Sequence, residues 1–127
     1  GMHSFRSEGF PKMTPWFEFT GLATTGHGPQ APIEITYPDK ESTITKGLEG
    51  WKTINEELYN NLKLFDTAKP IARGRQDVGN RVDDVIVAWV NEYGPKKTRI
   101  FSTTLGHNNE TVGDARYLDM LARAVLW

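Results

Sequence analysis

A continuous run of β-branched and aromatic residues, Val85–Val90, restricts the possible folds of this chain more than any other feature. A run of this kind is typical of a strand that is covered on both faces. Residues 91–97 are short enough to connect two antiparallel strands, so Arg99–Leu105 is predicted to return beside the first strand. Asp114 is then expected to cap a helix. The predicted buried face of that helix consists of Leu118, Leu121, Ala122 and Val125.

The front of the chain has weaker patterns. A helical turn is expected from Thr14, because the proline that follows it suits the first helical position. Residues 21–32 are rich in glycine and proline, so they are predicted to form a loop. Residues 33–37 alternate between apolar and polar side chains, which is typical of a half-buried strand.

The middle of the chain is less decisive. Residues 44–48 predict a turn or a single helical turn. Residues 51–59 fit either a helix or, at residues 52–54, a short extended segment, because periodicity alone does not separate the two. Residues 62–73 are predicted to form a strand, in which Pro70 indicates an edge or a bulge. Residues 74–84 are polar and contain glycine, so a hairpin or a long loop is expected.

The composition excludes several classes of function. A chain of 127 residues is long enough for one domain with a real core. Its 15 basic and 16 acidic side chains produce no overall field that would attract nucleic acid or an anionic membrane, so neither partner is expected. The absence of cysteine excludes disulfides, thiolate metal sites and a cysteine nucleophile within this chain.

The link between the last strand and the last helix contains His107 and Glu110. Ligands of open α/β sheets gather beyond the carboxyl ends of strands, so both side chains could point into one crevice. His107 could then act as an acid, a base or a metal ligand, with Glu110 as its orienting partner. Alternatively, His107 packs against a backbone carbonyl, and Glu110 interacts with the helix dipole.

Other candidate ligand contacts lie earlier in the chain. The adjacent carboxylates Glu56 and Glu57, followed by Tyr59, could supply an acid, a base or a partner for a sugar hydroxyl, or could form a solvated helix end. His27 lies in a glycine-rich segment, where it could be a ligand or only a surface residue. His3 stands near Arg6, a possible anion binder, in a terminus that could equally be disordered.

Seven segments together resemble the ThuA-like (trehalose-utilisation) proteins, a branch of the class I glutamine amidotransferase-like superfamily. In chain order they are His3–Arg6, Trp16–Gly21, His27–Pro29, Ile44–Leu48, Glu56–Tyr59, Ala88–Gly94 and Arg99–His107. The resemblance implies an α/β fold with a flavodoxin-like mixed sheet, parallel strands flanked by helices, and a C-terminal antiparallel hairpin. Residues 1–127 would form a single, partial ThuA-like domain without the N-terminal β/α units of the family. Such a chain would be either a truncated product or a naturally short form.

The resemblance also implies roles for the candidate residues. His107 corresponds to the histidine of the superfamily's cysteine triad, and Glu110 lies near the triad glutamate position, one residue farther along than usual. The nucleophile position would precede residue 1, so glutamine amidotransferase activity is not expected. Catalytic roles are therefore assigned to His107 and Glu110. The expected substrate contacts are Glu57, Tyr59, His27, His3 and Arg6.

The expected function is binding of, or action on, a sugar or sugar derivative in trehalose or disaccharide utilisation. A divalent metal such as zinc could bind between His107, Glu57 and either His27 or His3. The alternatives are a non-catalytic accessory or structural remnant of the fold, and a metal-dependent hydrolase-like enzyme. Whether the chain is an enzyme is left open.

Self-association is the expected response to the missing β/α units. Without them the sheet would expose an apolar face and an edge, which a homo-oligomer, for example a dimer with exchanged elements, would cover. The sequence does not determine a compartment, and a cytoplasmic location is only slightly favoured.

Overall fold

Two antiparallel sheets and three helices make up residues 14–127, which are the residues that the computed structural model describes. His3 and Arg6 lie outside the described residues. In chain order the elements are α1 (Thr14–Thr20), β1 (Leu22–Ala31), β2 (Glu34–Thr36), β3 (Trp51–Lys52), β4 (Glu56–Leu64), β5 (Ala68–Asp77), β6 (Val82–Tyr93), β7 (Thr98–Thr103), α2 (Asn109–Val112) and α3 (Ala115–Leu126).

The strands form one pair and one larger sheet. Strands β1 and β4 pair with each other, and the five-stranded sheet has the order β3-β2-β5-β6-β7. Helices together with sheets confirm the predicted α/β class. Every strand pairing within residues 14–127 is antiparallel, so the parallel strands expected in this part of the chain are not found there. No helix in the same residues is long and apolar enough to cross a bilayer.

The predicted hairpin near the carboxyl end is confirmed. Strands β6 and β7 pair from Ala88 opposite Thr103 to Tyr93 opposite Thr98. The central residues of β6, Val87–Trp89, are buried at three successive positions, which shows that both faces of the strand are covered. On one side the Trp89 indole N–H donates to the carbonyl of Thr20 at 2.6 Å and so attaches β6 to the end of α1.

Two expectations for the front half are wrong. Residues 21–32 were expected to be a loop but form β1, because pairing with β4 satisfies the backbone despite the glycines and Pro29, with a register shift between His27 and Gln30. The helical alternative for residues 51–59 fails because this stretch contains β3 and the start of β4. The extended alternative, which was placed at residues 52–54, holds only for Lys52, because β3 ends there and β4 begins at Glu56.

Residues 62–73 belong to two strands rather than one. Strand β4 ends at Leu64 and β5 begins at Ala68, with a turn between them. The irregularity expected at Pro70 is present, since the register of β5 against β6 shifts between Pro70 and Ala72 and again between Ala72 and Arg73. The hairpin alternative for residues 74–84 is also confirmed by the β5–β6 pairing.

The last helix begins as predicted but buries a different face. The Asp114 carboxylate accepts from the backbone N–H of Arg116, which is the expected N-cap. Tyr117 and Met120 are buried, whereas Leu118 and Val125 are exposed. Tyr117 packs in the core and its hydroxyl donates to the carbonyl of Leu105 at 3.2 Å. Leu121 is the member of the predicted face that packs against the same core.

Gly74 in β5 allows the two sheets to approach each other closely. A Cβ atom at this position would lie 2.6 Å from a methyl carbon of Val87, 2.8 Å from Ile33 and 3.2 Å from Leu58. Val87 belongs to β6 in the larger sheet, and Leu58 belongs to β4 in the β1–β4 pair. Because Gly74 has no side chain, the β1–β4 pair can pack closely on the larger sheet.

Replacing Gly74 with alanine is therefore expected to lower the free energy of unfolding by about 1–3 kcal/mol, the usual cost of overpacking a core. Gly26→Ala is the matched control, because a Cβ at this other strand glycine meets nothing within 4 Å. Urea unfolding measures both changes. Equal stability of the two variants would contradict the account of the sheet contact.

Candidate functional site

The pairing of β1 with β4 brings candidate residues from two segments together. His27 is opposite Tyr59, and Gln30 is opposite Glu57. Glu57 and Tyr59 are two positions apart on β4, so their side chains emerge on the same face of the strand pair. The rings of His27 and Tyr59 are in contact, with centroids 5.2 Å apart.

The Glu57 carboxylate is the centre of this cluster. Its Oε2 atom lies 3.2 Å from His107 Nδ1 and 3.7 Å from His27 Nε2, and it accepts from the Tyr59 hydroxyl at 3.4 Å. Its Oε1 atom accepts from Gln30 Nε2 at 3.5 Å. One carboxylate oxygen therefore contacts three of the predicted site residues. We call Glu57, His27, Tyr59 and His107 the Glu57 cluster.

Burial divides the cluster into an inner and an outer part. Glu57 and Tyr59 are buried, with relative exposures of 6% and 7%. The side chains of His27 and His107 are 28% and 39% exposed. A ligand in solvent would therefore meet the two imidazoles first, with the carboxylate beneath them.

The main chain around His107 is held by a second carboxylate. Glu56 is completely buried, and its side-chain oxygens accept from the backbone N–H groups of Glu57, Gly106, His107 and Asn108. The loop leaves β7 through Gly106, whose φ of 108° is readily available only to glycine. The segment carrying His107 is thus tied to the start of β4.

Three amide side chains form a polar rim that the sequence analysis missed. Asn55 Nδ2 and Asn108 Nδ2 donate to Gln30 Oε1 at 3.2 and 3.4 Å, and Asn108 Nδ2 also donates to the carbonyl of Asn55 at 2.8 Å. Isolated Asn and Gln residues are common on any surface, so only the strand register shows that these three meet beside the cluster.

The contacts favour particular protonation patterns. An Nδ1–H of His107 can donate to Glu57, in which case Nε2 is the basic nitrogen of the neutral ring. His27 Nδ1 lies 2.7 Å from the carbonyl of Gly28 and therefore donates there, so its Nε2 can donate to Glu57 only when the ring is protonated. The cluster can thus orient an acid or a base and can exchange hydrogen bonds with hydroxyl groups.

Glu110 does not have the position that was expected for it. It is exposed in the first turn of α2, and within residues 14–127 no ion pair joins it to His107. The carboxylate that pairs with His107 is Glu57 instead. Catalytic participation of Glu110 therefore stays a prediction without a supporting contact.

The donor types of the cluster suit zinc, but their arrangement does not form a complete site. Two imidazoles and a carboxylate are common zinc ligands. Among the described residues, however, no group of three or more His, Asp or Glu side chains has the spacing of a metal centre. No step of the mechanism proposed below involves a metal.

Glu57 also affects the ionisation of Tyr59. Burial, followed by the charge and the hydrogen bond of Glu57, raises the pKa of Tyr59 to about 12 from its ordinary 10.0. The folded protein thus favours the neutral hydroxyl. The stability that the neutral Tyr59 hydroxyl contributes to the folded protein is complete below about pH 10 and is lost as the pH rises through about 12.

Glu57→Gln is expected to lower the pKa of Tyr59, because the substitution removes the negative charge beside the hydroxyl. The value should stay above 10.0, since burial is the largest cause of the shift and is retained. The absorbance of tyrosinate as a function of pH measures the midpoint of Tyr59 ionisation. The absorbance of a Tyr59→Phe variant is subtracted to remove the signal of the other tyrosines. Identical midpoints with and without the Glu57 charge would contradict the contact.

Comparisons with known proteins agree on one family. The model of the trehalose-utilisation family, ThuA, matches residues 1–127. The fold is similar to that of a ThuA-like protein of Parabacteroides merdae, with a TM-score of 0.73 and 19% identity over 93% of this chain and 55% of that one. For a ThuA-like protein of Bacteroides uniformis the TM-score is 0.63 and the identity 18%, over 87% of this chain and 49% of the other.

The chain thus spans about half the length of these two solved structures. No curated protein matches it significantly. The two structures show that this chain shares its fold with part of the ThuA-like proteins, and the family match includes all seven segments that resemble the family. The chain belongs to the trehalose-utilisation (ThuA) family.

Proposed function

We propose that this chain binds a sugar or sugar derivative at the Glu57 cluster and does not hydrolyse glutamine. The observation that carries the proposal is the single buried Glu57 oxygen with His107, Tyr59 and His27 around it. A sugar presents neighbouring hydroxyls that both donate and accept. Such groups match a carboxylate acceptor beside imidazole and phenol groups that donate or accept.

The spacing of the cluster supports a ligand with hydroxyl groups. The contacts to Glu57 Oε2 range from 3.2 to 3.7 Å. Direct charge-assisted hydrogen bonds are shorter, about 2.7–2.9 Å. Contacts of this length can shorten when a hydroxyl group of a ligand joins the cluster. The amide rim of Gln30, Asn55 and Asn108 would extend recognition beyond one sugar hydroxyl.

The absence of glutamine hydrolysis follows from the chemistry of the nucleophile. That reaction in the superfamily uses a cysteine thiolate, and these 127 residues contain no cysteine. His107 has no sulfur in this chain to activate. Its pairing with Glu57 suits a proton exchange with a hydroxyl or a water molecule instead.

The His107–Glu57 pair also supports a second candidate, an enzyme acting on the same sugar. Glu57 would hold the ring by accepting from Nδ1–H, and Nε2 would take a proton from a sugar hydroxyl or a water. The resulting imidazolium would be stabilised by the buried carboxylate. A metal-dependent variant, with His107, Glu57 and either His27 or His3 as ligands, stays a prediction, because the described residues contain no complete metal site.

Self-association is proposed for the same chain. The outer face of α3 leaves Leu118, Val125 and Leu126 exposed. Contiguous exposed apolar side chains often mark a contact surface. Sedimentation velocity measures the association state directly, and a monomer at micromolar concentration would contradict this expectation.

Isothermal titration calorimetry with trehalose tests the sugar proposal. We expect heat of binding with the wild-type chain and an affinity about tenfold lower in His107→Ala, the usual effect of losing one hydrogen bond that involves a charged group. Glu49→Ala is the matched control, because it removes an exposed carboxylate from the loop before β3, outside the candidate site, and should leave the affinity unchanged.

The same titration with Zn²⁺ separates the candidates. Stoichiometric heat that disappears in His107→Ala and in His27→Ala would support the metal-dependent enzyme. No heat with trehalose would contradict sugar binding at this site.

A further inference from the structure

Glu56 is a charged side chain in an environment that disfavours charge. Its relative exposure is 0%. Removing a carboxylate from water costs several kcal/mol, and an apolar side chain of similar volume is often as stable or more stable in its place. The hydrophobic core alone therefore gives no reason for a carboxylate at this position.

The hydrogen bonds of Glu56 connect two distant segments of the chain. Oε1 accepts from the backbone N–H of Glu57 at 2.9 Å and of His107 at 3.1 Å. Oε2 accepts from the backbone N–H of Gly106 at 3.3 Å and of Asn108 at 3.5 Å. One carboxylate thus binds four N–H groups, of which one precedes the Glu57 side chain and three surround His107.

We infer that Glu56 is a positioning residue that fixes the loop of residues 106–108 and thereby places His107 against the Glu57 carboxylate. The inference rests on the proposed function only in taking the Glu57 cluster as a ligand site. Glu56 itself is buried beneath the loop and acts through the main chain, so it is not assigned a contact with the ligand.

The other side of the loop is held by an independent contact. The Tyr117 hydroxyl donates to the carbonyl of Leu105 at 3.2 Å and lies 2.9 Å from the position of a Cβ atom on Gly106. This contact belongs to α3 and does not involve Glu56. Removal of the Glu56 carboxylate should therefore release residues 106–108 without detaching the loop from the helix.

The geometry predicts different effects for two substitutions. Glu56→Gln keeps the size but not the symmetry of the carboxylate, so in either amide orientation an NH2 group faces two N–H donors. Glu56→Ala leaves all four donors without their acceptor and leaves space for a small carboxylate. Glu49→Ala is the control, because it removes an exposed carboxylate from a loop outside the candidate site.

Amide NMR spectra of the full chain, with and without formate, test the inference. In Glu56→Ala the amide proton signals of residues 106–108 should move from their wild-type positions, together with the ring signals of His107. Saturating formate should return these signals toward the wild-type positions, and trehalose affinity should fall about tenfold without formate and recover with it. Formate should change neither the wild-type chain nor Glu49→Ala.

A carboxylate that only stabilised the core would lower the melting temperature and leave the loop amides and the His107 ring signals unchanged in the folded variant. That result would overturn the inference, and so would displaced signals that formate does not restore. If Glu56→Ala fails to fold, displaced signals of residues 106–108 in Glu56→Gln support the inference, and unchanged signals overturn it. Restoration by formate in a chain that binds no trehalose would support the role of Glu56 while contradicting the sugar proposal.

Discussion

Two neighbouring carboxylates at the start of β4 connect parts of the chain that are far apart in sequence. Glu56 accepts from the backbone around His107, about fifty positions away, and Glu57 approaches the His107 ring itself at 3.2 Å. Buried charges persist only where hydrogen bonds replace their lost hydration. The hydrogen bonds of these two side chains therefore determine the geometry of the candidate site. They also connect the β1–β4 pair to the loop after β7.

The hydrophobic core provides the platform on which this polar arrangement rests. Gly74 allows Leu58 of β4 to pack against Ile33 and Val87, and this contact fixes the strand pair on the larger sheet. Glu56 and Leu58 lie on one face of β4, and Glu57 and Tyr59 lie on the other. Packing on one face of the strand thus determines where the ligand-facing carboxylate lies on the other face.

The sequence predicted those parts of the fold that local patterns determine. The apolar run of β6, the return of β7 and the Asp114 cap were confirmed, because each depends on residues close together in the chain. Residues 21–32 were assigned wrongly, since glycine and proline suggest a loop unless the partner strand β4 is known. The face of α3 was predicted only in part, because Leu121 packs against the core but Tyr117 and Met120 are buried in place of Leu118 and Val125.

Four of the seven predicted site residues lie in one cluster, whereas Glu110 lies outside it, and His3 and Arg6 are not among the described residues. His107, Glu57, Tyr59 and His27 were singled out, and the structure brings all four together. The sequence could not show that Glu57 rather than Glu110 pairs with His107, or that Glu56 is buried beneath the loop. Both facts follow from strand register and loop position, which no local pattern encodes.

The tautomer of His107 tests the central contact most directly. Heteronuclear NMR of the histidine side chains at about pH 9, above the ordinary pKa range of imidazole, identifies which ring nitrogen carries the proton. We predict the Nδ1-protonated tautomer in the wild-type chain and a shift toward the Nε2-protonated form in Glu57→Ala. A wild-type ring protonated on Nε2, or a tautomer that does not change when Glu57 is removed, would contradict the account.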